Sequence, residues 1–410
     1  MNILFFTDNF PPERNAAASR VYERACYWVK WGHQVTVVTC APNFPEGKLF
    51  SGYKNKWYQV EMLDGIRVVR VKTFIAANKG FLLRIIDSIS FTLPAIFAGI
   101  CQQRPDVIAA TSPSLFAAVA GLFTAKLRRI PFVLEVSDLW PASIVGVGAM
   151  RDSLAIRGLE KLELFLYHHA TSIVVLSPAF KVNLVSRKIP ENKIDIVING
   201  FDMTRYSPRP RNQELAERYQ IKSDEFVVGY IGTHGMAHAL ENVLASAEIL
   251  QKSHVRFLFV GAGAARDELM QLAESKKLAN VSFIPSQAKD IIAEFWSLCN
   301  MALVHLKNSS VFAEVIPSKI FEAMGMGLPI LMAAPAGEAS AIVEREKIGV
   351  TVPPEDPQQM AEAIEYYSSR PDLLDMFVKN SCQSAPRYSR EQQAKLFFNV
   401  LEQANARLSS

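Results

Sequence analysis

Cysteine is scarce in this 410-residue chain, and the patterns that would give it work are missing. Cys26, Cys40, Cys101, Cys299 and Cys382 are odd in number and widely scattered. No two lie close enough for a zinc knuckle or a redox pair, so reduced thiols in a cytoplasm are expected. Internal repeats and low-complexity tracts are also lacking, which excludes solenoids and disordered arrays. No clean apolar run approaches the roughly 20 residues of a membrane-spanning helix. Val107 to Ala125 is uncharged, but Thr111-Ser-Pro-Ser114 divides it into a strand (Val107–Thr111) and a helix (Ser114–Leu127). Met1-Asn-Ile-Leu-Phe-Phe-Thr has no basic region before its apolar run, and Asp8 ends that run early. A first β-strand is expected there, not a signal peptide.

What is present is an ordinary globular composition. Apolar residues make up 50% and charged residues 20% of the chain, which suits two or three domains, each with its own core. Charge is unevenly placed. Residues 1–200 hold 23 Lys and Arg against 15 Asp and Glu, while residues 201–410 hold 21 against 25. Phe81–Cys101 is rich in Phe, Ile and Leu but contains Arg84, Asp87 and Pro94. It fits either a core helix or a face lying in a membrane interface. Arg67, Arg70, Lys72, Lys79 and Arg84 would then form a basic rim attractive to anionic headgroups.

Short Val- and Ile-rich runs alternate with helical patterns. Ile3–Phe6, Val35–Val38, Val107–Ala110, Phe132–Val136 and Ile173–Leu176 occupy the first half. Val227–Ile231, Phe257–Val260, Val281–Ile284, Ala302–His305 and Ile330–Met332 occupy the second. Continuous apolar strands between helices imply parallel sheets covered on both faces, hence an α/β protein. The pattern restarts after a turn-rich stretch at residues 198–212, so two doubly wound, Rossmann-like domains are expected to face each other across a cleft. Their spans are 1–198 and 199–385. Residues 386–410 would form a last helix, capped at Ser389, that packs back on the first domain.

Four loops at strand carboxyl ends carry the chemistry. The first, Thr7 to Arg20, runs into a helix near Ala17. Asn15 and Ala16 would lie where a ligand meets the helix start, and Arg20 would add a bidentate charge for an anion. A plain proline-bearing loop is the alternative. The second is Gly229-Tyr-Ile-Gly232-Thr233-His234-Gly235-Met-Ala-His238, a glycine-rich strand-to-helix turn suited to phosphate. It lacks both the Gly-Lys-Ser/Thr of a Walker loop and a dinucleotide fingerprint. His234 would sit at its mouth and His238 one turn into a helix Leu240–Gln251. The third, Gly261-Ala-Gly263, repeats the geometry, though turn chemistry alone also explains it.

The fourth loop is the most specific. Glu314-Val-Ile-Pro-Ser318-Lys319-Ile-Phe-Glu322 precedes Ala-Met-Gly-Met-Gly-Leu-Pro. Pro317 bars Ile316 from helical backbone, so a helix should start at Pro317 or Ser318 with Lys319 and Glu322 on one face. Carboxylates there would accept sugar and ribose hydroxyls, and backbone amides with Lys319 would hold a diphosphate.

With these motifs in hand, the chain resembles the family 4 retaining glycosyltransferases of the GT-B fold, nearly end to end. Asp8 to Arg20 and Trp31-Gly-His-Gln-Val-Thr-Val-Val-Thr look like that family's opening strand, acceptor loop and second strand. Glu135-Val-Ser-Asp138-Leu-Trp-Pro141 is similar to a segment of its O-antigen and capsule branch, which includes N-acetyl-L-fucosamine transferases. Glu314 and Glu322 match its paired glutamates. The resemblance implies that Glu314 faces the transferred sugar and Glu322 holds the ribose. Asp138 would orient the acceptor hydroxyl or the sugar. The nucleobase would be read by backbone near 284–287, at Pro285.

Three departures stand out. Asn15-Ala-Ala-Ala18 replaces glycines in the first loop, and Ala142 replaces a glutamate after Asp-Leu-Trp-Pro. The Arg and Lys usual in the first donor loop are missing, so Lys319 becomes the main charge partner unless His234 or His238 is protonated. Asp-x-Asp occurs nowhere, so no metal or other cofactor is expected. The implied activity is transfer of a sugar, with retention, from a nucleotide sugar, taken as UDP-linked, to a polyprenyl-diphosphate-linked saccharide. This places the protein at the inner face of the cell membrane, with contact through its first domain and no nucleic-acid partner. A sugar-nucleotide epimerase and a non-catalytic membrane-assembly adaptor are the rival readings.

Overall fold

The computed structural model describes residues 1–13, 15–44, 46–75, 81–112, 114–141 and 154–409, with the side chains of 81–88, 154, 311, 408 and 409 outside that set. The chain divides into two units, Met1–Asn199 with Arg390–Ser410, and Gly200–Ser389.

The first unit contains β1 (Asn2–Phe6), α1 (Ala16–Lys30), β2 (Gln34–Cys40), β3 (Tyr58–Leu63), β4 (Ile66–Val71) and α2 (Phe81–Ile100). It continues with β5 (Val107–Ser112), α3 (Leu115–Arg128), β6 (Phe132–Val136), α4 (Leu154–His169), β7 (Ser172–Val175), α5 (Pro178–Ser186) and β8 (Ile194–Ile196). The sheet order is β3-β4-β2-β1-β5-β6-β7-β8. Pairing is parallel except between β3 and β4. The chain order reverses between β1 and β5, the switch point where doubly wound sheets receive ligands.

The antiparallel β3–β4 edge is an addition to the expected pattern. It turns at Asp64-Gly65, where both residues take positive φ. The hairpin also corrects the expected basic rim. Arg70 is buried, paired with Glu61 at 2.7 Å and donating to the Cys40 carbonyl at 2.9 Å. Arg67 and Lys72 stay exposed, whereas Lys79 and the Arg84 side chain lie outside the described residues.

The second unit contains α6 (Gln213–Arg218), β9 (Phe226–Ile231), α7 (Glu241–Ile249), β10 (Val255–Val260), α8 (Arg266–Ser275), β11 (Val281–Ile284) and α9 (Ile292–Trp296). After these come β12 (Met301–His305), α10 (Lys319–Gly325), β13 (Ile330–Ala333), α11 (Glu338–Glu346), β14 (Gly349–Val352), α12 (Pro357–Ser368) and α13 (Pro371–Ser384). Its six strands are ordered β11-β10-β9-β12-β13-β14, the doubly wound order 3-2-1-4-5-6, with the switch point between β9 and β12. The two sheets are therefore Rossmann-like and almost wholly parallel, as the continuous apolar strands imply.

The last helix, α14 (Arg390–Ser409), belongs to the first unit. The Trp28 indole of α1 donates to the Ala394 carbonyl at 3.0 Å, and Phe397, Val400 and Leu401 join the core under β1 and β2. Roughly 25 cal/mol per Å² of apolar surface buried makes this packing the chief stabiliser of the helix.

Candidate functional site

In the second unit, the two glycine-rich turns lock together through their backbones. Gly232 N–H donates to the Val260 carbonyl at 2.9 Å, His234 N–H to Ala262 at 2.9 Å and Ala265 N–H to His234 at 3.0 Å. A Cβ on Gly261 would lie 1.9 Å from the Gly232 oxygen, and one on Gly263 would lie 2.3 Å from the His234 oxygen. Both glycines have φ near +155° (154° and 157°), so the approach and the backbone each demand glycine.

Between these turns and α10 lies a cluster of buried nitrogens. Lys319, at the first position of α10, is buried; its Nζ finds no hydrogen-bond partner among the described residues. It sits 3.7 Å from the centre of the Tyr230 ring, and a Cβ on Gly232 would lie 3.1 Å from it. Burial pushes its ammonium down to about 7, against the pull of the Glu322 carboxylate. The full charge expected for Lys319 is thus only half present near neutral pH. The helix begins one residue later than expected, with Ser318 exposed at its cap and no side-chain cap bond.

The histidines differ more from expectation. His234 is not at a mouth but wholly buried, ringed by Tyr230, Phe259 and Phe283. Burial, together with the Arg266, Lys319 and His238 charges, pushes it down to about 4, so it is neutral at pH 7. Neither ring nitrogen has a partner among the described residues. His238 lies in a short 3-10 turn ahead of α7, not within that helix. Its Nδ1 donates to the His305 carbonyl at 3.2 Å, and His305 Nδ1 donates to the His238 carbonyl at 2.7 Å. That reciprocal pair fixes both tautomers and bridges the β9–β12 switch point; the two bonds favour the protonated rings, but burial outweighs them. Burial lowers the pKa of His238 and takes His305 down to about 4. His305 was not singled out from the sequence, although an imidazole ending a continuous apolar strand was a usable signal.

Thr233 is exposed, and its carbonyl accepts from the Tyr230 hydroxyl at 2.8 Å. Gly235 has ordinary extended backbone. Pro285 is exposed just beyond β11, and its carbonyl accepts from Gln287 at 2.9 Å. Glu314 ends a 3-10 turn, Ser310–Glu314, and is exposed. Gly337 presses on that turn, since a Cβ there would lie 2.1 Å from the Ala313 oxygen. Glu322 lies one helical turn beyond Lys319, half-buried. The structure therefore gathers Gly232, His234, Gly261, Gly263 and Lys319, with Glu322 in electrostatic reach.

In the first unit, the α1 loop is built differently from expectation. Asn15 is committed to capping α1: its side-chain Oδ1 accepts from Ala18 N–H at 2.8 Å, and its Nδ2 donates to Asn9 Oδ1 at 2.7 Å. Ala16 is exposed. Arg20 is buried, and its charge is answered by Glu135 on β6 at 3.2 Å. Arg24 holds the same carboxylate at 2.8 Å. Arg20 therefore shares one buried carboxylate with Arg24, so the pair of guanidiniums keeps one excess positive charge, and the Arg20 Nη2 has no hydrogen-bond partner among the described residues. Burial pushes the Glu135 carboxyl up, but the Arg24 and Arg20 guanidiniums outweigh it and hold it down at about 2. A glutamate amid Phe132-Val-Leu-Glu-Val136 was the sequence signal for this cluster.

Asp138 lies two residues beyond β6 and is half-buried; Ala142 lies outside the described residues. Asp8 and Glu13 occupy the loop after β1, and burial raises both carboxyls. Glu13 accepts from Asn43 and Phe44 N–H groups at 2.8 Å each, tying the first loop to the segment after β2.

Comparison with known proteins fits both units. Residues 15–200 match the glycosyl transferase 4-like domain, and residues 211–384 match glycosyl transferases group 1. The chain is a glycosyltransferase, with the group 1 domain in its second unit. The glycosyltransferase is 24% identical over 374 residues to the putative colanic acid biosynthesis glycosyl transferase WcaI of Escherichia coli, covering 89% of this chain and 91% of that one. Among solved structures, sucrose-phosphate synthase from Thermosynechococcus elongatus superposes with a TM-score of 0.75 at 18% identity, covering 99% of each chain. HepE of Anabaena in complex with UDP gives 0.72 at 18% identity, over 98% of this chain and 100% of that one. The fold of this glycosyltransferase is thus GT-B.

Proposed function

We propose that this glycosyltransferase moves a sugar with retention from a UDP-sugar to a lipid-linked saccharide during surface-polysaccharide assembly. The observation that carries the donor half is the unpartnered Lys319 nitrogen buried beside the Gly232 turn. A buried amine without a partner is costly, and an anion at that turn would supply one. The UDP complex of HepE supports the choice of nucleotide, and the colanic acid assignment of WcaI supports the choice of pathway class.

In this reading Lys319 and the backbone amides of the glycine turns hold the diphosphate, with Gly232, Thr233 and Gly235 at one turn and Gly261 and Gly263 at the other. Glu322 binds the ribose and Glu314 the transferred sugar. Pro285 marks the backbone that reads the base. Asp138, in the first unit, orients the acceptor hydroxyl, which attacks as the diphosphate leaves. No metal is required, so turnover should survive chelation.

Thermal unfolding with UDP, GDP, ADP and NAD tests the reading. Ligand at 100 times its Kd adds about 2.7 kcal/mol, a shift of several degrees. A shift with UDP alone supports the donor assignment, and no shift with any nucleotide overturns it. Epimerised sugar formed from donor alone would replace transfer with epimerisation.

A further inference from the structure

The sheet of the second unit has an open edge. β11 is its end strand and pairs with β10 on one side. In that parallel ladder Phe257 N–H donates to the Asn280 carbonyl at 2.8 Å, and Gly261 N–H to the Ile284 carbonyl at 3.0 Å. Asn280, Ser282 and Ile284 therefore turn their backbone groups toward β10, while Val281 and Phe283 turn theirs away. Among the described residues these outward groups have no hydrogen-bond partner. Val281-Ser-Phe-Ile284 carries neither charge nor proline, two devices that keep an edge from pairing.

Beside that edge lies a groove of about 620 Å³. α8 supplies Asp267, Met270, Gln271 and Glu274 to it, at the spacing of a single helical face. Val281, Phe283 and Leu278 line it from the strand side. Leu269 and Ala273, on the other side of α8, pack into the core with Phe257 and Phe259 of β10. The stripe along the groove is thus the part of α8 left for a neighbour, and Met270 is 39% exposed on it. Its charges follow the direction of the helix. Asp267 stands in the first turn of α8, and Lys277 lies just past the last.

We propose that this edge joins two copies of the chain, β11 of one pairing antiparallel with β11 of the other across a two-fold axis. Val281 pairs with Phe283 of the second copy, and the reverse, so every outward backbone group of the two residues is satisfied. Ser282 then faces its own counterpart on the axis. A two-fold that makes one continuous sheet keeps both α8 helices on the same face and runs them antiparallel. Because α8 overlies β10 and β11, its axis lies about one strand spacing, roughly 5 Å, from the two-fold. The two helices are then about 10 Å apart, an ordinary packing distance. Running antiparallel, they bring Asp267 at the start of each toward Lys277 at the end of the other. The surface is complementary to itself in hydrogen bonding, in spacing and in charge, which is what selects a second copy as its occupant. Two outward residues make only a short strand contact, so the α8 stripe is a necessary part of the interface.

Sedimentation equilibrium of the full chain tests for the dimer, and a cross-link tests its geometry. Opposed Cα atoms in a non-hydrogen-bonded antiparallel pair lie about 4.5 Å apart, within the span of a disulfide. Ser282→Cys, in a chain whose exposed Cys101 and Cys382 are changed to Ser, should therefore give a covalent dimer on mild oxidation. Ser286→Cys, exposed but away from the axis, should not. Val281→Pro removes an N–H that points off the sheet, so it should keep the melting temperature and raise the dimer Kd about tenfold or more. Asp267→Lys and Lys277→Asp should each weaken the dimer. An equimolar mixture of the two variants should restore it, because each changed charge then meets its opposite. A chain that stays monomeric at every concentration overturns the proposal. So does a dimer indifferent to Val281→Pro that fails to cross-link through Ser282→Cys, since its contact lies elsewhere. Should Val281→Pro unfold the chain, the cross-link and the charge exchange decide. Neither result depends on which nucleotide or acceptor the protein binds.

Discussion

The Nζ of Lys319 sits 3.7 Å from the centre of the Tyr230 ring, with no hydrogen-bond partner among the described residues. The ring face favours the ammonium, while burial favours the neutral amine. The balance, near 7, makes the protonation of this lysine responsive to an anion bound beside it in the candidate site.

Lysine in the unfolded chain titrates near 10.5. Between about pH 7 and 10.5 the unfolded state therefore holds the extra proton, and stability climbs with pH. Below about pH 7 the folded state must bury an unpaired ammonium. Lys319→Met should then be more stable than the parent by about 1–3 kcal/mol in slightly acid buffer, the gap closing toward pH 10. Urea melts across that range check it, and a less stable variant in acid would refute the buried-cation account. The same variant should lose its UDP-dependent thermal shift.

Glu135 behaves oppositely. Its carboxyl is held at about 2, below its usual 4.5, so its contribution is complete above about pH 4.5 and fades as pH falls toward 2. Glu135→Gln leaves the Arg20 and Arg24 guanidiniums buried without their counter-charge. A loss of about 3–5 kcal/mol at neutral pH is expected, shrinking in acid, as read by denaturant unfolding.

The glycine turns give a paired test. Gly263→Ala puts a methyl 2.3 Å from the His234 oxygen at a φ of 157°. It should cost at least about 2 kcal/mol and abolish nucleotide binding. Gly235→Ala has a φ of −115° and no atom nearer than 3.6 Å. It should change stability by no more than about 1 kcal/mol and keep the nucleotide shift.

Three carboxylates should separate binding from turnover. Glu322→Ala should weaken donor binding about 10- to 100-fold, the value of hydrogen bonds to a charged group. Glu314→Ala should lower kcat more than donor affinity. Asp138→Asn should cut turnover about 10²–10⁴-fold if that carboxylate handles the acceptor proton. Titration calorimetry with UDP and initial rates with a UDP-sugar distinguish the three.

Much of the fold was legible because its signals are local. Apolar runs such as Phe132–Val136 and Val227–Ile231 declare buried parallel strands, and Gly261 and Gly263 declare a turn that no other residue fits. The β3–β4 edge was not read, since Tyr58–Leu63 and Ile66–Val71 mix charge with apolar residues in a hairpin that a parallel pattern does not anticipate. At the candidate site, the residue types were legible and their states were not. His234 looked like a group at a loop mouth, yet Phe259 and Phe283 enclose it. Arg20 looked wholly unpaired, yet it shares the Glu135 carboxylate with Arg24.

By itself the sequence determined what depends on near neighbours: the alternation of strand and helix, the restart near residue 200, the glycine turns and the Glu314–Glu322 spacing. Tertiary structure decided which groups keep their charge. Arg24 and Glu135 are 111 residues apart, and His238 and His305 are 67 apart. Protonation follows from burial and from partners brought together across such distances. No local pattern contains that information, because the desolvation that takes Lys319 to about 7 arises only once β9, the glycine turns and α10 have closed around it.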